Sequence, residues 1–305
     1  MLFSYWIALG WKILILAFEM KEIQSGSGAL LLRLKVADEA VLCTPAQYPV
    51  YTVFLIPEGA GTYHADFGVF DFKGPVLLFS TPLQLIYIQE CKFLNCKMLQ
   101  FHGDFYCIEF HREEVSCNGL LFNNIYIDPV VVLSDKEAGL FDSLLTDLND
   151  ELNEAAPSEI TLRAYLQLFL AKSSSIKLKA IAEHQDKAEK DEQMDRFRKL
   201  LDEHFLTLHK PSDYAELLAM TSDNFTKRSM RYFKKTPSQL IQERLILEAK
   251  KQLHLTRKSI KEIAWNLKFQ DEFYFSRVFK KFTKVSPQAF RDKTGISIVA
   301  DHSKY

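Results

Sequence analysis

The stretch SIKEIAWNLKFQDEFYFSRVFKKF, residues 259–282, contains two short helical patterns with about four residues between them. Ser259 stands three residues before Glu262, the spacing of a helix start at which each side chain bonds the other residue's backbone. Asp271 can cap the second helix, and Lys268 occupies the turn. So short a turn makes the second helix cross the first steeply, which predicts a helix-turn-helix. The expected apolar faces are Ile260, Ile263, Ala264 and Leu267 on the first helix, and Phe275, Val278 and Phe279 on the second.

The outward face of the second helix carries side chains that suit a DNA major groove. That groove is about 12 Å wide and admits one helix, whose side chains then reach the base edges. Arg277 could donate a bidentate pair to guanine; the alternatives are a phosphate contact or an ion pair with Glu262 or Asp271. Glu272 could accept a hydrogen bond from cytosine, or could only favour the helix amino terminus. The rest of this face is Phe273, Ser276 and Lys280.

An earlier stretch, YAELLAMTSDNFTKRSMRYFKK at residues 214–235, repeats the pattern loosely. Thr221 or Ser222 would cap its second helix. A single helix-turn-helix pattern is a weak signal, because helical hairpins in any bundle resemble it. Two copies in one chain are much more specific. The first helix of this copy would contain Ala215, Leu217 and Leu218, and the second would present Thr226, Lys227, Arg231 and Lys234.

One long helix is predicted between the copies, in the stretch TPSQLIQERLILEAKKQL at residues 236–253. Thr236 would cap it together with Gln239, and Pro237 would occupy its first position. The 17 residues from Pro237 to Leu253 span roughly 25 Å, a strut that could hold two reading helices about one turn of B-DNA apart. Its inward face would be Leu240, Leu245, Ala249 and Leu253.

Charge divides the chain into two halves of opposite sign. Residues 194–305 hold 23 basic and 13 acidic side chains, whereas residues 1–193 hold 15 basic and 26 acidic ones, although the whole chain has a net charge of only -1. A basic half indicates a module that meets a polyanion, and the acidic half indicates a module with another task.

The acidic half predicts an antiparallel β-barrel or sandwich followed by helices, so the fold class is α+β. Short apolar runs broken by Pro and Gly fill residues 29–133, and helical spacing then predicts a two-helix segment over 134–172. The charged stretch 173–193 is expected to be a linker or a loosely packed helix, and 294–305 a tail. Helical positions expected to be apolar are Phe141, Leu144, Leu145, Leu148 and Leu152, then Leu162, Tyr165, Leu166, Phe169 and Leu170.

The first 28 residues are an uncertain extension. Residues 2–18 carry a single charge, Lys12, and their length of 17 residues is at the short limit for a spanning helix. No signal-peptide cleavage pattern accompanies them. A start assigned too early, with Met20 as the alternative, is favoured over a surface helix or an anchor, so no membrane partner is expected. The chain has five cysteines without a C-x-x-C pair, which predicts reduced thiols in a cytoplasmic protein.

The carboxy-terminal hundred residues, 194–293, resemble the AraC/XylS family of transcription regulators. The likeness is most specific in residues 259–291, and residues 236–253 look like the linker helix of that family. Residues 51–133 are more weakly similar to the cupin-type sensor common in the family. The residues that match the family signature are Phe269, Tyr274, Phe275, Ser276, Arg277, Phe279, Lys280, Ser286 and Pro287.

The resemblance implies a DNA-binding regulator with a barrel that senses a small-molecule effector, a homodimer formed through the 134–172 helices, and activation by contact with RNA polymerase; repression is the alternative. Phosphate contacts are expected from basic side chains, because they give affinity without sequence information. These are Arg228, Arg231, Lys280 and Lys281, whereas the base-facing positions implied by the family are Asp223, Thr226, Lys227, Glu272, Phe273, Ser276 and Arg277.

The first copy departs from the family pattern, which puts the docking of its second helix in question. Ser229 stands where a core Phe is usual, and Lys234 where the helix normally ends in Gly; Lys268 and Lys284 also replace expected glycines. If these sites need positive φ, each lysine costs about 1 kcal/mol. Side chains that could refill the core in a shifted register are Met230, Tyr232 and Phe233.

The alternative function is a cupin-type small-molecule enzyme with an appended helical module. His64 is the candidate residue, either as a contact to an effector inside the barrel or as a satisfied structural histidine. A metal cupin needs a His-x-His pair, but position 66 is Asp66, and His102 and His111 do not have that spacing. No nucleophile elbow, phosphate loop or paired-carboxylate motif occurs, so neither catalysis nor a cofactor is expected.

Overall fold

The chain folds into two compact units in a computed structural model. The first contains the described residues up to 122 together with 129–178, and the second contains 124–128 and 179–295. The residues that the structure describes are 21–66, 68–92, 96–106, 120–122, 124–185 and 191–295.

The first unit contains two antiparallel sheets, as the strand-and-turn pattern predicts. One sheet has six strands in the order β1-β2-β9-β4-β7-β10, and the other has four in the order β3-β8-β5-β6. The strands are β1 Glu22–Gln24, β2 Leu30–Ala37, β3 Ala46–Gln47, β4 Tyr51–Ile56, β5 Ala60–Ala65, β6 Gly68–Lys73, β7 Val76–Ser80, β8 Leu85–Lys92, β9 Cys96–Phe101 and β10 Val130–Val132.

The six-stranded sheet is the middle layer, because β4 is buried on both faces. Val53 and Leu55 belong to a core shared with helices, whereas Phe54 and Ile56 belong to the core between the sheets. This alternation follows from the two-residue period of a strand, and it gives a helix–sheet–sheet arrangement. The helices of this unit are α1 Glu39–Cys43, α2 Asp135–Asn153 and α3 Glu159–Gln185.

The two predicted helices of residues 134–172 are confirmed as α2 and the first part of α3. A capping box between Ser134 and Glu137 starts α2. Nine of the ten residues expected to be apolar are buried in the core shared with the six-stranded sheet, and Tyr165 is partly buried against it. These side chains therefore stabilise the unit itself. Large apolar side chains that remain exposed on the two helices are Leu140, Ile160, Leu168 and Leu178.

Residues 173–193 were expected to be a linker or a loosely packed helix, and residues 173–185 are helical as the end of α3. Ser173 and Ser174 are buried, and Lys177 Nζ donates to the carbonyl oxygen of Val130 at 2.5 Å. The helix is thus well packed at its middle, which its charged composition did not indicate. Residues 186–190, the predicted tail from 296 onwards and the extension up to Met20 lie outside the described residues.

The prediction that all five cysteines are reduced is wrong for Cys43, which is disulfide-bonded. Cys96 is a free and buried thiol. Spacing along the chain does not reveal which thiols folding brings together, so the pairing was not visible in the sequence.

Among the described residues, no helix is both long and apolar enough to cross a membrane.

Strand β1 shows that the predicted extension of residues 1–28 already contains part of the first unit.

The second unit has seven helices between residues 191 and 295. The seven helices are α4 Glu192–His204, α5 Pro211–Leu217, α6 Ser222–Phe233, α7 Pro237–Leu255, α8 Ile260–Asn266, α9 Glu272–Thr283 and α10 Pro287–Thr294.

Candidate nucleic-acid interface

Helices α8 and α9 form the helix-turn-helix that residues 259–282 predict. Ser259 N donates to Glu262 Oε2 at 2.6 Å and Glu262 N donates to Ser259 Oγ at 3.1 Å, which completes the capping box of α8. Asp271 Oδ1 accepts a hydrogen bond from Tyr274 N at 2.6 Å and starts α9. Lys268 lies between them with φ of 60°, a left-handed residue that reverses the chain.

Aromatic packing holds α9 on the rest of its unit. Phe275 and Phe279 are both 0% exposed. The Phe275 ring lies 5.2 Å from Phe269, and the Phe279 ring lies 5.5 Å from Phe290 on α10, both edge to face. Val278 is half-buried. Because one side of α9 is fixed in this way, the other side is held outward in a defined orientation.

The outward face of α9 contains all the base-facing candidates of the second copy. Phe273 is 69% exposed, Arg277 is exposed, and Glu272 is half-buried in the first turn. The Arg277 guanidinium lies 5.8 Å from the Tyr274 ring and makes no ion pair within the described part of the chain. The alternative of a structural ion pair is therefore not observed. Ser276 is half-buried, and Lys280 and Lys281 are exposed.

Helices α5 and α6 form the first copy, and the landmarks of α6 lie 50 residues before those of α9. Thr221 corresponds to Asp271, and its Oγ1 accepts a hydrogen bond from Asn224 N at 3.3 Å. Of the two predicted caps, Thr221 is thus the one used. Phe225, equivalent to Phe275, is 0% exposed. On the opposite side, Asp223, Thr226 and Lys227 are all exposed.

Helices α6 and α9, the two reading helices, differ at two equivalent positions one helical turn apart. The aromatic residue and the hydroxyl residue have exchanged places between the two copies. Ser229 stands at the place of Phe279, and Phe233 stands at the place of Thr283. Phe233 packs on the core of the first copy, with its ring 6.1 Å from that of Phe197. Of the three side chains proposed to refill this core, only Phe233 does so, since Met230 and Tyr232 are 42% and 39% exposed.

The exchanged hydroxyl groups make equivalent hydrogen bonds. Ser229 Oγ donates to the carbonyl oxygen of Lys235 at 2.7 Å, and Thr283 Oγ1 donates to the carbonyl oxygen of Val285 at 2.9 Å. Lys235 and Val285 are again 50 positions apart. At these two positions each copy therefore has one aromatic side chain packed on the core and one hydroxyl group that donates to a carbonyl oxygen just after the helix. Helix α6 is thus docked despite its unusual sequence.

Helix α7 connects the two copies and packs against both. Its capping box pairs Thr236 with Gln239, and Pro237 occupies the first turn, as predicted. It extends to Leu255, two residues beyond the predicted end, and its 19 residues span about 28 Å. The predicted inward residues Leu240, Leu245, Ala249 and Leu253 are all buried.

Three lysines adopt the left-handed backbone expected of the glycines that they replace. Lys234, Lys268 and Lys284 have φ of 57°, 60° and 65°. Lys234 and Lys284 end the two reading helices. A side chain with a Cβ is strained in this region, so each lysine is expected to cost about 1 kcal/mol.

Replacing Lys284 by glycine is accordingly expected to raise the free energy of unfolding by about 1 kcal/mol. The matched control is Lys280→Gly, which places glycine in the helical part of α9 and is expected to lower it by about as much. Urea unfolding followed by circular dichroism measures both. Equal destabilisation by the two variants would show that Lys284 is not strained.

An ion pair that the sequence did not indicate engages Arg228, one of the predicted phosphate contacts. Asp191 is only 6% exposed, and it accepts a hydrogen bond from Arg228 Nε at 2.9 Å. Arg231 approaches the same carboxylate at 3.9 Å. Burial raises the pKa of Asp191, but the bonds from Arg228 and from backbone N–H groups outweigh it, so the pKa lies below its usual value. Arg228 thus holds α6 to the start of α4.

Residues 124–128 pack in the second unit although they precede β10 of the first in sequence. The Tyr126 ring lies 5.6 Å from the Phe233 ring of α6. Lys235 Nζ donates to the carbonyl oxygen of Ile125 at 2.9 Å and pairs with Glu243 at 2.6 Å. No sequence pattern indicates this contact, since about a hundred residues separate Tyr126 from its partners.

The role of Asp191 as a helix cap could have been predicted from the sequence, because Asp191 directly precedes Glu192, the first residue of α4.

His64 does not occupy the place predicted for an effector contact inside a barrel. Tyr63 and Ala65 on the same strand point into the core between the sheets, so His64 lies on the opposite face of β5. Its ring stacks on Tyr87 with centroids 4.3 Å apart, and its buried Nε2 atom has no hydrogen-bond partner among the residues that the structure describes. Nowhere in the described ranges do three or more His, Cys, Asp or Glu side chains form a possible metal site.

A small cavity lies beneath α1, in the core between the two sheets. It is partly open to solvent, and the free space inside it is only about 10 Å³, room for roughly one water molecule. Most of its lining residues are apolar, and Thr44 and the half-buried Tyr48 are among the few that carry a hydroxyl group. Further lining residues are Leu42, Phe54, Tyr63, Ile86 and Ile88.

Comparison with known proteins identifies the helical unit. Residues 214–293 match the model of a helix-turn-helix domain family. No curated protein matches the chain in sequence. The family assignment is carried by the match over residues 214–293.

Several solved structures are similar to part or most of this chain. ToxT from Vibrio cholerae strain SCE256, with a bound unsaturated fatty acid, has 14% identity over 89% of this chain and 98% of its own, with a TM-score of 0.42. The carboxy-terminal domain of AraT, a response regulator from Geobacillus stearothermophilus, has 25% identity over 39% of this chain and 98% of its own, with a TM-score of 0.35. The corresponding domain of the response regulator yesN from Fusobacterium nucleatum has 22% identity over 33% of this chain and 99% of its own, with a TM-score of 0.32.

The matched range contains both helix pairs and the long helix between them. It is an AraC-type helix-turn-helix domain, and the chain is a DNA-binding transcription regulator.

Proposed function

We propose that this regulator binds its operator by inserting α6 and α9 into successive major grooves on one face of the duplex. The observation that carries the proposal is the equivalence of the two helices. Each begins at a side-chain cap, buries an aromatic residue in the same place and turns a polar face outward. Helix α7 packs against both copies and is a strut of suitable length for grooves one turn apart.

The proposed base contacts are the exposed or half-buried side chains of those two faces: Asp223, Thr226 and Lys227 on α6, and Glu272, Phe273, Ser276 and Arg277 on α9. Phosphate contacts are proposed for Arg231, Lys280 and Lys281, which are exposed. Arg228 was expected to be a fourth, but its pairing with Asp191 favours a structural role.

Selection of bound fragments from the sheared source genome tests this function. Purified protein at moderate salt is expected to enrich a small set of fragments that share a sequence motif. A protein in which Arg277 and Lys227 are both alanine is the control for general affinity to DNA. Enrichment of no fragment above that control would contradict sequence-specific binding.

An effector is proposed to bind in the cavity beneath α1. The lining is apolar with a few hydroxyl groups, which suits a small and mostly apolar molecule. Pockets for drug-sized ligands usually hold about 300–1,000 Å³, so binding of an effector would need this cavity to widen. Repeating the fragment selection with candidate metabolites would identify a molecule that changes the enrichment, and Val41→Trp, which adds bulk at an exposed lining residue, is expected to abolish that change.

The effector response is proposed to reach α6 through residues 124–128. This segment joins the core residues 120–122 of the first unit to β10 along the chain, yet its side chains pack against the core of the second unit. A shift of either flanking segment would therefore pull directly on the surroundings of Phe233. The proposed biological unit is a homodimer formed through the exposed side of α2 and α3, acting in the cytoplasm as an activator through RNA polymerase.

Substitution of Tyr126 tests whether the segment is part of the second unit. The buried Tyr126 hydroxyl has no hydrogen-bond partner within the described part of the chain, so Tyr126→Phe is expected to leave the free energy of unfolding unchanged or raise it by up to about 1 kcal/mol. Tyr126→Ala is expected to lower it by about 2 kcal/mol, because the ring contact with Phe233 is lost. Urea unfolding measures both, and two variants that both behave as wild type would contradict the packing role.

A further inference from the structure

Phe273 is an apolar side chain in a place where polar ones are expected. It lies in the first turn of α9 and is 69% exposed, although the core beneath the helix is filled by Phe269, Phe275 and Phe279. A single exposed aromatic residue is common on protein surfaces. The position of Phe273 is less common, because the first turn of a recognition helix is the part that approaches the base edges.

We infer that Phe273 reads the 5-methyl group of a thymine in the major groove, an inference that rests on the proposed function. Thymine is the one base that offers a methyl group there, whereas the other edges present donors and acceptors. A phenyl ring has neither, so placing it over those edges would remove water from polar groups without replacing their hydrogen bonds. Phe273 therefore favours thymine both by attraction and by exclusion of the other bases.

The neighbours of Phe273 predict where this thymine lies. Arg277 follows one helical turn later on the same face, which is about 6 Å along the helix axis. Base pairs in B-DNA are about 3.4 Å apart. A helix lying along the groove thus places Phe273 and Arg277 roughly two base-pair steps apart, so the site read by α9 should contain a thymine and a guanine at about that separation.

The first copy should lack this preference. Asp223 stands at the place of Phe273 in α6 and is exposed. A carboxylate can accept a hydrogen bond from the amino group of cytosine but gains nothing from a methyl group. The two halves of the operator are therefore expected to differ, and α6 is an internal control for α9.

Replacing thymine by deoxyuridine removes only the methyl group and so isolates this contact. In the operator recovered by fragment selection, each thymine is replaced in turn, and the dissociation constant is measured with wild type and with Phe273→Ala. Wild type is expected to bind about fourfold more weakly at one position in the half read by α9, which is what burial of one methyl group is worth. Phe273→Ala should bind the thymine and deoxyuridine operators equally well. Because Phe273 is exposed, the variant is expected to fold, and its unfolding curve verifies this.

Two further arms separate the outcomes. Restoring the methyl group as 5-methylcytosine, paired with guanine, should recover part of the lost affinity for wild type but none for Phe273→Ala. Selective binding that no deoxyuridine weakens, or a weakening that persists in Phe273→Ala, would overturn the inference and leave the proposed function intact. Absence of any selective binding would instead contradict the proposed function and this inference with it.

Discussion

Arg277→Ala is expected to weaken binding to the operator by about 5- to 150-fold while changing affinity for unrelated DNA by less than about twofold. A bidentate arginine–guanine contact contributes about 1–3 kcal/mol of discrimination. The Arg277 guanidinium is available for it, because the side chain is exposed and makes no ion pair among the described residues. Equilibrium titration of labelled operator and of a scrambled duplex at one salt concentration measures both affinities.

Lys227→Ala is the matched variant in the first copy, since Lys227 and Arg277 are equivalent positions 50 residues apart. If α6 reads DNA, Lys227→Ala also weakens operator binding, and the effect maps to bases about one helical turn away. If α6 has lost its reading function, Lys227→Ala binds like wild type. An Arg277→Ala protein that loses affinity for both duplexes equally would show that Arg277 contacts phosphate instead.

Swapping the exchanged pair within α6 is expected to produce a large coupling between two stability effects. Ser229→Phe alone forces a ring into a site with 0% exposure and removes a hydrogen bond, which is expected to cost about 3 kcal/mol. Phe233→Thr alone empties part of the core next to Phe197 and is expected to cost about 2–3 kcal/mol. The double variant reproduces the arrangement of α9 and should cost only about 1 kcal/mol.

Urea unfolding of the two single variants and the double variant measures this coupling. Because the two positions share one patch of core, their effects are not expected to add. A double variant as unstable as the two single effects combined would show that the copies do not use these positions in equivalent ways. It would also remove the structural reason for treating α6 and α9 as a pair.

Local patterns of residues 236–282 predicted the second copy almost completely. The caps at Ser259, Thr236 and Asp271 are short-range devices whose partners lie within three residues, so the sequence contains all of the information. The glycine positions occupied by Lys268 and Lys284 could likewise be recognised as left-handed, because a helix end demands that backbone whatever the side chain.

Contacts between distant residues were the ones that escaped prediction. The sequence of α6 alone did not show that Phe233 replaces the missing aromatic at position 229, because that depends on Phe197 and on Tyr126. The pairing of Arg228 with Asp191 joins residues 37 positions apart, so no local pattern could indicate it. The face of β5 on which His64 lies could not be predicted for a different reason: one step of strand register decides which face a side chain occupies.

Guanine interference with dimethyl sulfate is the most direct test of reading by both helices, because the reagent methylates N7 in the major groove. The operator recovered by fragment selection is methylated sparsely, and the bound and free fractions are compared. Two clusters of interfering guanines on one face of the duplex, about 10 base pairs apart, are the expected result for wild type. Arg277→Ala should erase one cluster only. A single cluster, or two clusters on opposite faces, would contradict insertion of α6 and α9 into successive grooves.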